Sequence, residues 1–530
     1  MVKNIPNKRI AGIHSTLIFV LVLFIFITAC NVPSRKDSPP NIIIFFADDM
    51  GFSDIGFFGS EISTPNIDAL ATEGLVMTQF YNSGRCCPSR ASLLTGLYPH
   101  QVGIGFMNGS SGYPSYQGYL NDSCVTIAEL LRNAGYHTMM SGKWHVGDQF
   151  ENWPLQRGFE RFYGFPKGGG VYYWPWREGR DLVLDDKIIQ ADSSFYSTDA
   201  FTDYALQFIQ EVKDSANPFF LYLPYIAPHF PLQAHPEDID KYRGKYYDNW
   251  KSYRIARFQE MKRKGIIDED GNLSPVDSLV FNWDDLPDDK KAEYDLRMAV
   301  YAGQVECMDR NIGRIIQKLE EWGIMDNTVI FFLSDNGGSM EPLKESDNTD
   351  SIEIGTVASW SSYHAPWANL SNTPHRLYKH WVHEGGISTP FIIYNPQRTG
   401  EHRIDKQVAH IIDLMPTCLD LAGIEYPESY GGFPVIPVEG KSLLPVIRGE
   451  KRIPHEHLFW EHMGNKAVRW AKWKLVMQDE KRVWELYDMD KDRSEMNDLS
   501  AQYPEIVEML NNVYKEWEDK VGVMPWDSIK

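Results

Sequence analysis

The sequence is poor in cysteine and in long apolar runs, and it has no excess of positive charge. Its 530 residues include only six cysteines, and none of them forms the Cys-x-x-Cys pair of a zinc site. The formal net charge of −20 argues against nucleic acid or an anionic membrane surface as a partner. No internal repeat or low-complexity tract is present. We therefore expect a globular protein with one large domain and one smaller one.

The N-terminal apolar run, residues 16–27, is too short to span a membrane and follows three basic residues. It ends in Ile-Thr-Ala-Cys30, which resembles a bacterial lipobox. We predict a lipoprotein signal peptide over residues 1–29, lipidation of Cys30, and a polar tether over residues 30–40. The lipid would anchor the protein to a membrane of the bacterial cell envelope, in the periplasm or on the outer-membrane surface. A simple secretory peptide with an incidental cysteine is the alternative.

Strands and helices alternate along most of the remaining chain. The almost wholly apolar run 41–47 is typical of a strand that is covered on both faces of a parallel sheet. The clearest helices are predicted at 126–134, which opens with a capping box, and at 291–322. This pattern predicts an α/β domain with a doubly wound, mostly parallel sheet over residues 41–440. The predicted strands cover residues 41–47, 136–140, 218–225, 328–333 and 389–394.

The pattern changes after about residue 440. Short strands are predicted at 467–469, 473–477 and 484–488, followed by a terminal helix over 504–520. Residues 441–530 are therefore predicted to form a small α+β subdomain with an antiparallel sheet.

Polar side chains follow four of the predicted strands. Ligands of open α/β sheets bind beyond the carboxyl ends of the strands, so we expect these side chains to converge on one rim. The acidic and amide members form an all-oxygen set, which favours Ca²⁺ or Mg²⁺ over zinc. For any single pair, a helix cap or a turn is the alternative. The residues are Asp48 and Asp49, Lys143 and His145, His229, and Asp335 and Asn336.

Residues 84–96, GRCCPSRASLLTG, contain the candidate reactive group, Cys86. Pro88 suits the first turn of a helix and Gly96 ends it, so Cys86 is expected at a helix N-terminus, where negative charge is favoured. A buried thiol is the alternative for an isolated cysteine. The string Cys-x-Pro-Ser-Arg, followed by Leu-Thr-Gly, resembles the signature of the type I sulfatases. The cysteines predicted to be buried free thiols are Cys87, Cys124, Cys307 and Cys418.

The resemblance extends over nearly the whole mature chain, through NIIIFFADDMGFSDIGFFG, GYHTMMSGKWHVG, FFLSDNGG and RLYKHWVHEGGISTP. These segments are similar to the bacterial arylsulfatase-type branch of the formylglycine-dependent sulfatases. The resemblance implies an alkaline-phosphatase-like fold and conversion of Cys86 to Cα-formylglycine (3-oxoalanine) by a formylglycine-generating maturation enzyme. It also implies one calcium ion per chain. The implied calcium ligands are Asp48, Asp49, Cys86, Asp335 and Asn336.

The resemblance also implies roles for the basic residues. Arg90 and Lys143 would steady the nucleophile, and His145 would accept the proton of the second hydroxyl of hydrated formylglycine. Lys379 and His229 would bind the sulfate and protonate the leaving oxygen. The implied reaction is hydrolysis of a sulfuric ester with release of inorganic sulfate.

Two aromatic segments are candidate substrate walls: 168–177, with Trp174 and Arg177, and 361–372, with Trp367 and Asn369. Packing of a long loop is the alternative for these rings. Because an envelope lipoprotein meets glycans, we expect a sulfated saccharide or polysaccharide as substrate. The alternatives are a small-molecule arylsulfatase, a phosphonate or phosphate ester hydrolase, and, more remotely, a non-catalytic lipoprotein that binds sulfated glycans.

Overall fold

The computed structural model describes Met1 and residues 39–174, 179–343, 352–397 and 402–529. The described residues from Pro40 onward form one compact unit. The predicted signal peptide, Cys30 and Arg177 lie outside the described residues. Among the residues that are described, no helix is long and apolar enough to cross a membrane.

A central sheet of eleven strands runs through the large domain. Its order is β10-β2-β9-β8-β1-β7-β3-β4-β5-β6, and β11 pairs with β2. The strands β1, β3, β4, β7 and β8 are parallel neighbours, so the predicted mostly parallel sheet is confirmed. The strands are β1 Asn41–Asp48, β2 Leu75–Tyr81, β3 His137–Lys143, β4 Arg161–Phe165, β5 Leu182–Leu184, β6 Lys187–Ile189, β7 Phe219–Pro228, β8 Thr328–Ser334, β9 Ser388–Tyr394, β10 Arg403–Asp405 and β11 Ala409–His410.

Helices cover both faces of this sheet. Successive residues of β1 point to opposite faces, so Ile42 and Ile44 pack into one apolar cluster, and Ile43 and Phe45 into another. The first cluster includes residues of α2, α3 and α10, and the second includes residues of α1, α4 and α7, so the sheet is doubly wound. The helices are α1 Pro65–Glu73, α2 Cys86–Thr95, α3 Ile127–Asn133, α4 Ser197–Val212, α5 Pro236–Asp240, α6 Trp250–Arg263, α7 Asp288–Glu321, α8 His364–Ser371, α9 Glu384–Ile387, α10 Leu414–Ala422, α11 Leu444–Ile447 and α12 Pro504–Val521.

Strand β9 runs antiparallel to both of its neighbours. Its residue Phe391 pairs with Leu333 near the carboxyl end of β8, so β9 starts at the edge where β8 ends. This reversed direction brings the segment before β9, which contains Lys379, to the same rim as the ends of the parallel strands.

The C-terminal region forms a four-stranded antiparallel meander in the order β14-β15-β16-β17, followed by α12. The predicted antiparallel sheet is confirmed, and β14 is a strand that the sequence analysis did not predict. The domain boundary at residue 440 stays a prediction. The strands are β12 Ser429–Tyr430 and β13 Phe433–Pro434, which pair as a small hairpin, and β14 Leu458–His462, β15 Asn465–Trp470, β16 Trp473–Met477 and β17 Trp484–Asp488.

Candidate active site

The ends of four adjacent parallel strands, β8, β1, β7 and β3, bring the predicted polar residues to one buried rim. Asp49 and His145 both have left-handed backbone conformations, with φ of 65° and 62°. Such φ values are uncommon outside glycine and cluster at functional sites. The side chains brought together are Asp48, Asp49, Lys143, His145, His229, Asp335 and Asn336, each no more than 5% exposed.

The acidic and amide side chains form an oxygen-rich cradle. Asn336 Nδ2 donates to Asp49 Oδ1 at 2.7 Å, and the backbone N–H of Asp49 donates to Asp335 Oδ1 at 3.2 Å. Oδ1 of Asp48 and Oδ1 of Asn336 are buried and accept no hydrogen bond from the part of the chain that the structure describes. Buried polar atoms are rarely left without a partner, so these oxygens fit a bound cation. An all-oxygen set of this kind suits Ca²⁺ or Mg²⁺.

Two cations hold the cradle together. Arg90 Nη2 lies 2.9 Å from Asp335 Oδ2, and Arg90 Nη1 donates to the carbonyl oxygen of Lys143 at 2.9 Å. The ammonium group of Lys143 donates to Asp48 Oδ2. Burial would raise the pKa of Asp48, but Lys143, His229 and Arg90 hold it below its usual value. Burial and the neighbouring carboxylate of Asp48 raise the pKa of Asp335 well above its usual range.

Cys86 is the first residue of α2, and its side chain is buried. A hydrogen bond from Cys87 and the charges of Lys143, His145 and Lys379 lower the pKa of the Cys86 thiol well below its usual value, against the effect of burial. Its thiol sulfur and carboxylate oxygens of Asp48 and Asp335 lie within 4.8 Å of one another. Reactive cysteines occur in such electropositive surroundings at helix N-termini. The other four cysteines in the described chain are buried and free, as predicted.

His145 is placed next to Cys86. Burial lowers the pKa of His145 to about 4, although Cys86 opposes the shift by its charge and a hydrogen bond. The imidazole is therefore neutral near pH 7 and able to accept a proton. A Cβ at Gly168 would stand 1.9 Å from Nε2 of His145, so only glycine allows this backbone to approach the ring.

His229 and Lys379 meet at Asp49. Lys379 Nζ donates to Asp49 Oδ2 at 2.9 Å and lies 3.4 Å from His229 Nε2, which is 3.5 Å from the same carboxylate oxygen. Burial lowers the pKa of His229. Burial would also lower the pKa of Lys379, but Asp49 and Glu341 raise it above its usual value, so the ammonium group stays charged.

Two further charged residues at this site were missed by the sequence analysis. Arg85 Nη1 lies 2.5 Å from Glu341 Oε1, and Glu341 Oε2 lies 3.6 Å from Lys379 Nζ. Burial would raise the pKa of Glu341, but Lys379 and Arg85 lower it to about 2. Arg85 directly precedes Cys86, and Glu341 closely follows Asn336. Their closeness in sequence to these motifs is the signal that could have found them.

The structure places the second candidate substrate wall in the interior. Trp367 is fully buried and packs against Tyr246 and Trp250, because its apolar ring completes an interior aromatic cluster. Asn369 is 2% exposed, and a role of Trp367 and Asn369 in binding stays a prediction. Trp174 is half-buried at the surface, and its role in binding stays a prediction.

Comparison with known proteins finds sulfatases among the relatives of this chain. The Sulfatase family model matches residues 40–424, and the model of the C-terminal region of N-sulphoglucosamine sulphohydrolase matches residues 374–520. An uncharacterized sulfatase from Schizosaccharomyces pombe is 35% identical over 92% of this chain and 95% of its own length. An arylsulfatase from Klebsiella aerogenes is 34% identical over 80% of this chain and 96% of its own length.

A solved structure described as Ps i-CgsB in complex with k-i-k-neocarrahexaose has the same fold. Its TM-score is 0.68 at 27% sequence identity, and the match covers 91% of this chain and 93% of that one. Together with the buried rim around Cys86, these matches show that the chain belongs to the sulfatase family and is an enzyme that hydrolyses sulfate esters.

Proposed function

We propose that this sulfatase releases inorganic sulfate from a sulfated saccharide or polysaccharide, with formylglycine at position 86 and one bound calcium ion. The observation that supports the proposal is the position of Cys86. It begins a buried helix beside an oxygen-rich cradle. A hydrogen bond from Cys87 and the charges of Lys143, His145 and Lys379 lower the pKa of its thiol.

The cradle would hold calcium through Asp48, Asp49, Asp335, Asn336 and the side chain at position 86. When both groups are present, formylglycine supplies a hydroxyl that attacks sulfur, and calcium supplies positive charge at the reacting oxygens. Sulfate binding and the proton transfers fall on residues of this chain.

Those residues divide the proton transfers between two sides of the site. His145 is neutral near pH 7 and beside Cys86, so it accepts a proton from the side chain at position 86. His229 is 3.4 Å from the charged Lys379, and this pair binds the sulfate and delivers a proton to the leaving oxygen. Arg90 fixes Asp335 and the backbone of Lys143, which keeps the nucleophile in place.

The saccharide substrate is proposed from a structural relative whose description includes k-i-k-neocarrahexaose. A small-molecule arylsulfatase is a second candidate, because the Klebsiella aerogenes arylsulfatase is 34% identical to this chain. Sulfate release from carrageenan and chondroitin sulfate oligosaccharides, compared with 4-nitrophenyl sulfate, tests the choice. Higher kcat/KM on 4-nitrophenyl sulfate than on every oligosaccharide would favour the arylsulfatase.

Formylglycine is tested on the protein made with and without a formylglycine-generating enzyme. We expect the peptide containing Cys86 to lose the mass that separates a thiol from an aldehyde only when that enzyme is present. Cys86→Ala should abolish turnover and keep the fold, whereas Cys124→Ala, at another buried free cysteine, should keep activity. A fully active preparation with an unmodified Cys86 thiol contradicts the mechanism.

We further propose that lipidation of Cys30 anchors the protein to a membrane of the bacterial cell envelope. The support is the lipobox-like Ile-Thr-Ala-Cys30 that follows the apolar run 16–27. Cys30→Ser should move the protein from the membrane fraction to the soluble fraction of the envelope. An unchanged distribution would refute the anchor.

A further inference from the structure

Three aromatic side chains from distant parts of the sequence form a wall near Cys86. Phe106 lies in the loop after α2, with its ring stacked on His462 at a centroid distance of 5.6 Å and an angle of 28°. The rings of Phe106 and Trp526 form an edge-to-face pair, with their centroids 4.9 Å apart and an angle of 64° between their planes. We call Phe106, His462 and Trp526 the Phe106 wall. Phe106 and Trp526 are half-buried, whereas His462 is fully buried.

The C-terminal sheet delivers His462 to this position. His462 is the last residue of β14, and the turn that follows is closed by a hydrogen bond from the N–H of Gly464 to Glu461 Oε1 at 2.8 Å. Asn465 Nδ2 donates to the carbonyl oxygen of His380 at 3.5 Å. Because His380 directly follows Lys379, the β14–β15 turn rests on the segment that supplies a sulfate-binding residue.

Trp526 lies in the segment that follows α12, and hydrogen bonds hold this segment in place. Ser115 Oγ donates to the carbonyl oxygen of Gly522 at 2.5 Å, and the N–H of Met524 donates to the hydroxyl of Tyr116 at 3.3 Å. These contacts attach the C-terminal end of the chain to the loop that follows Phe106. The wall is therefore held from both sides.

The loop that carries Phe106 contacts the residue after the nucleophile, and polar groups around it have unused hydrogen-bonding capacity. Asn108, two residues after Phe106, accepts a hydrogen bond from Cys87 Sγ at 3.5 Å. Both ring nitrogens of His462, Nε of Arg85 and Nδ2 of Asn108 are buried and have no hydrogen-bond partner among the described residues. Buried polar groups are usually paired, so this set indicates a polar ligand or water at the site.

We infer that the Phe106 wall is the subsite for the sugar ring that carries the sulfate. Pyranose rings present an apolar face that packs on aromatic side chains, and hydroxyl groups that pair with buried donors and acceptors. Phe106 and Trp526 provide the aromatic surface, and Arg85 and Asn108 provide donors for the hydroxyls. His462 is a positioning residue that supports the ring of Phe106. The inference rests on the proposed saccharide sulfatase function.

The test measures inhibition of 4-nitrophenyl sulfate hydrolysis by oligosaccharides from carrageenan and from chondroitin sulfate. We expect at least one preparation to inhibit the mature wild-type enzyme competitively. Phe106→Ala and Trp526→Ala should each raise its inhibition constant about tenfold, with a smaller change in kcat, because a stacked ring contributes mainly to binding. The matched control is Phe433→Ala on β13, an exposed aromatic residue outside the wall, which should leave the inhibition constant unchanged.

His462 is tested by two substitutions. His462→Ala should raise the inhibition constant as Phe106→Ala does, and His462→Phe should restore part of the loss because a ring again supports Phe106. No inhibition of the wild-type enzyme, or equal inhibition constants in the wild type and both wall variants, would overturn the inference. Failure of the wild type to hydrolyse 4-nitrophenyl sulfate or any sulfated oligosaccharide would instead refute the proposed function.

Discussion

Lys474 of β16 joins the C-terminal sheet to the segment that carries Lys379. Its ammonium group lies 2.9 Å from Glu384 Oε1 and 2.8 Å from Glu495 Oε1, and all three side chains are at most 1% exposed. Glu384 is the first residue of α9 and follows Lys379 by five positions. Lys474→Met would therefore leave two buried carboxylates short of a cation, although Arg493 remains 3.3 Å from Glu384.

The expected loss is about 3–5 kcal/mol of unfolding free energy, since breaking a buried pair leaves an uncompensated charge in the interior. Equilibrium urea unfolding, followed by tryptophan fluorescence, measures this loss. Glu495→Gln in the Lys474→Met background should recover part of it, because one of the unpaired carboxylates is then removed. The kcat should also fall, because the segment between Lys379 and α9 loses its support.

The control is Lys472→Met, which breaks an ion pair of 2.8 Å with Asp488 at a lysine that is 42% exposed. Exposed pairs contribute about 0–1 kcal/mol, so this variant should unfold close to the wild type. The reasoning fails if Lys474→Met costs less than about 1 kcal/mol, or if both lysine variants lose the same amount.

Three further predictions follow from the site and the interface around it. EGTA should lower the melting temperature of the mature protein and calcium should restore it, because calcium at one hundred times its dissociation constant stabilises the folded state by about 2.7 kcal/mol. Asp48→Ala should remove this response, and an unchanged melting temperature would contradict the calcium site. Gly168→Ala should lower kcat about 100-fold, because its Cβ would displace His145, and wild-type kcat would refute that packing. Burial would raise the pKa of Glu485, but His383 and Arg376 lower it to about 2, so it stabilises the fold above the pKa of an unfolded glutamate. Its contribution should disappear as pH falls from about 4.5 to 2, and Glu485→Gln should reduce this pH dependence in thermal melts; an unchanged slope would contradict the shift.

Local pattern was enough to predict five of the eleven strands of the central sheet and the core of the site. The apolar run of β1 and the alternation of strands and helices predicted a doubly wound sheet, and the strand ends predicted one rim. The string around Cys86 predicted a helix N-terminus and the chemistry of the family. Each of these features depends on residues close together in sequence, so it can be read without knowing the tertiary structure.

Tertiary packing alone decided the features that depend on distant residues. The antiparallel direction of β9 brings Lys379 to the rim, and no local pattern specifies which neighbours a strand will pair with. Trp367 lies in an interior aromatic cluster, a position that the sequence does not reveal because an aromatic residue has the same local pattern in a wall and in a core. The position of His462 and Trp526 beside Phe106 depends on how the C-terminal sheet packs, which the linear sequence does not encode as a motif. The sequence therefore predicted a sulfatase with Cys86 at a helix N-terminus, and the tertiary structure decided which side chains from distant segments come together around it.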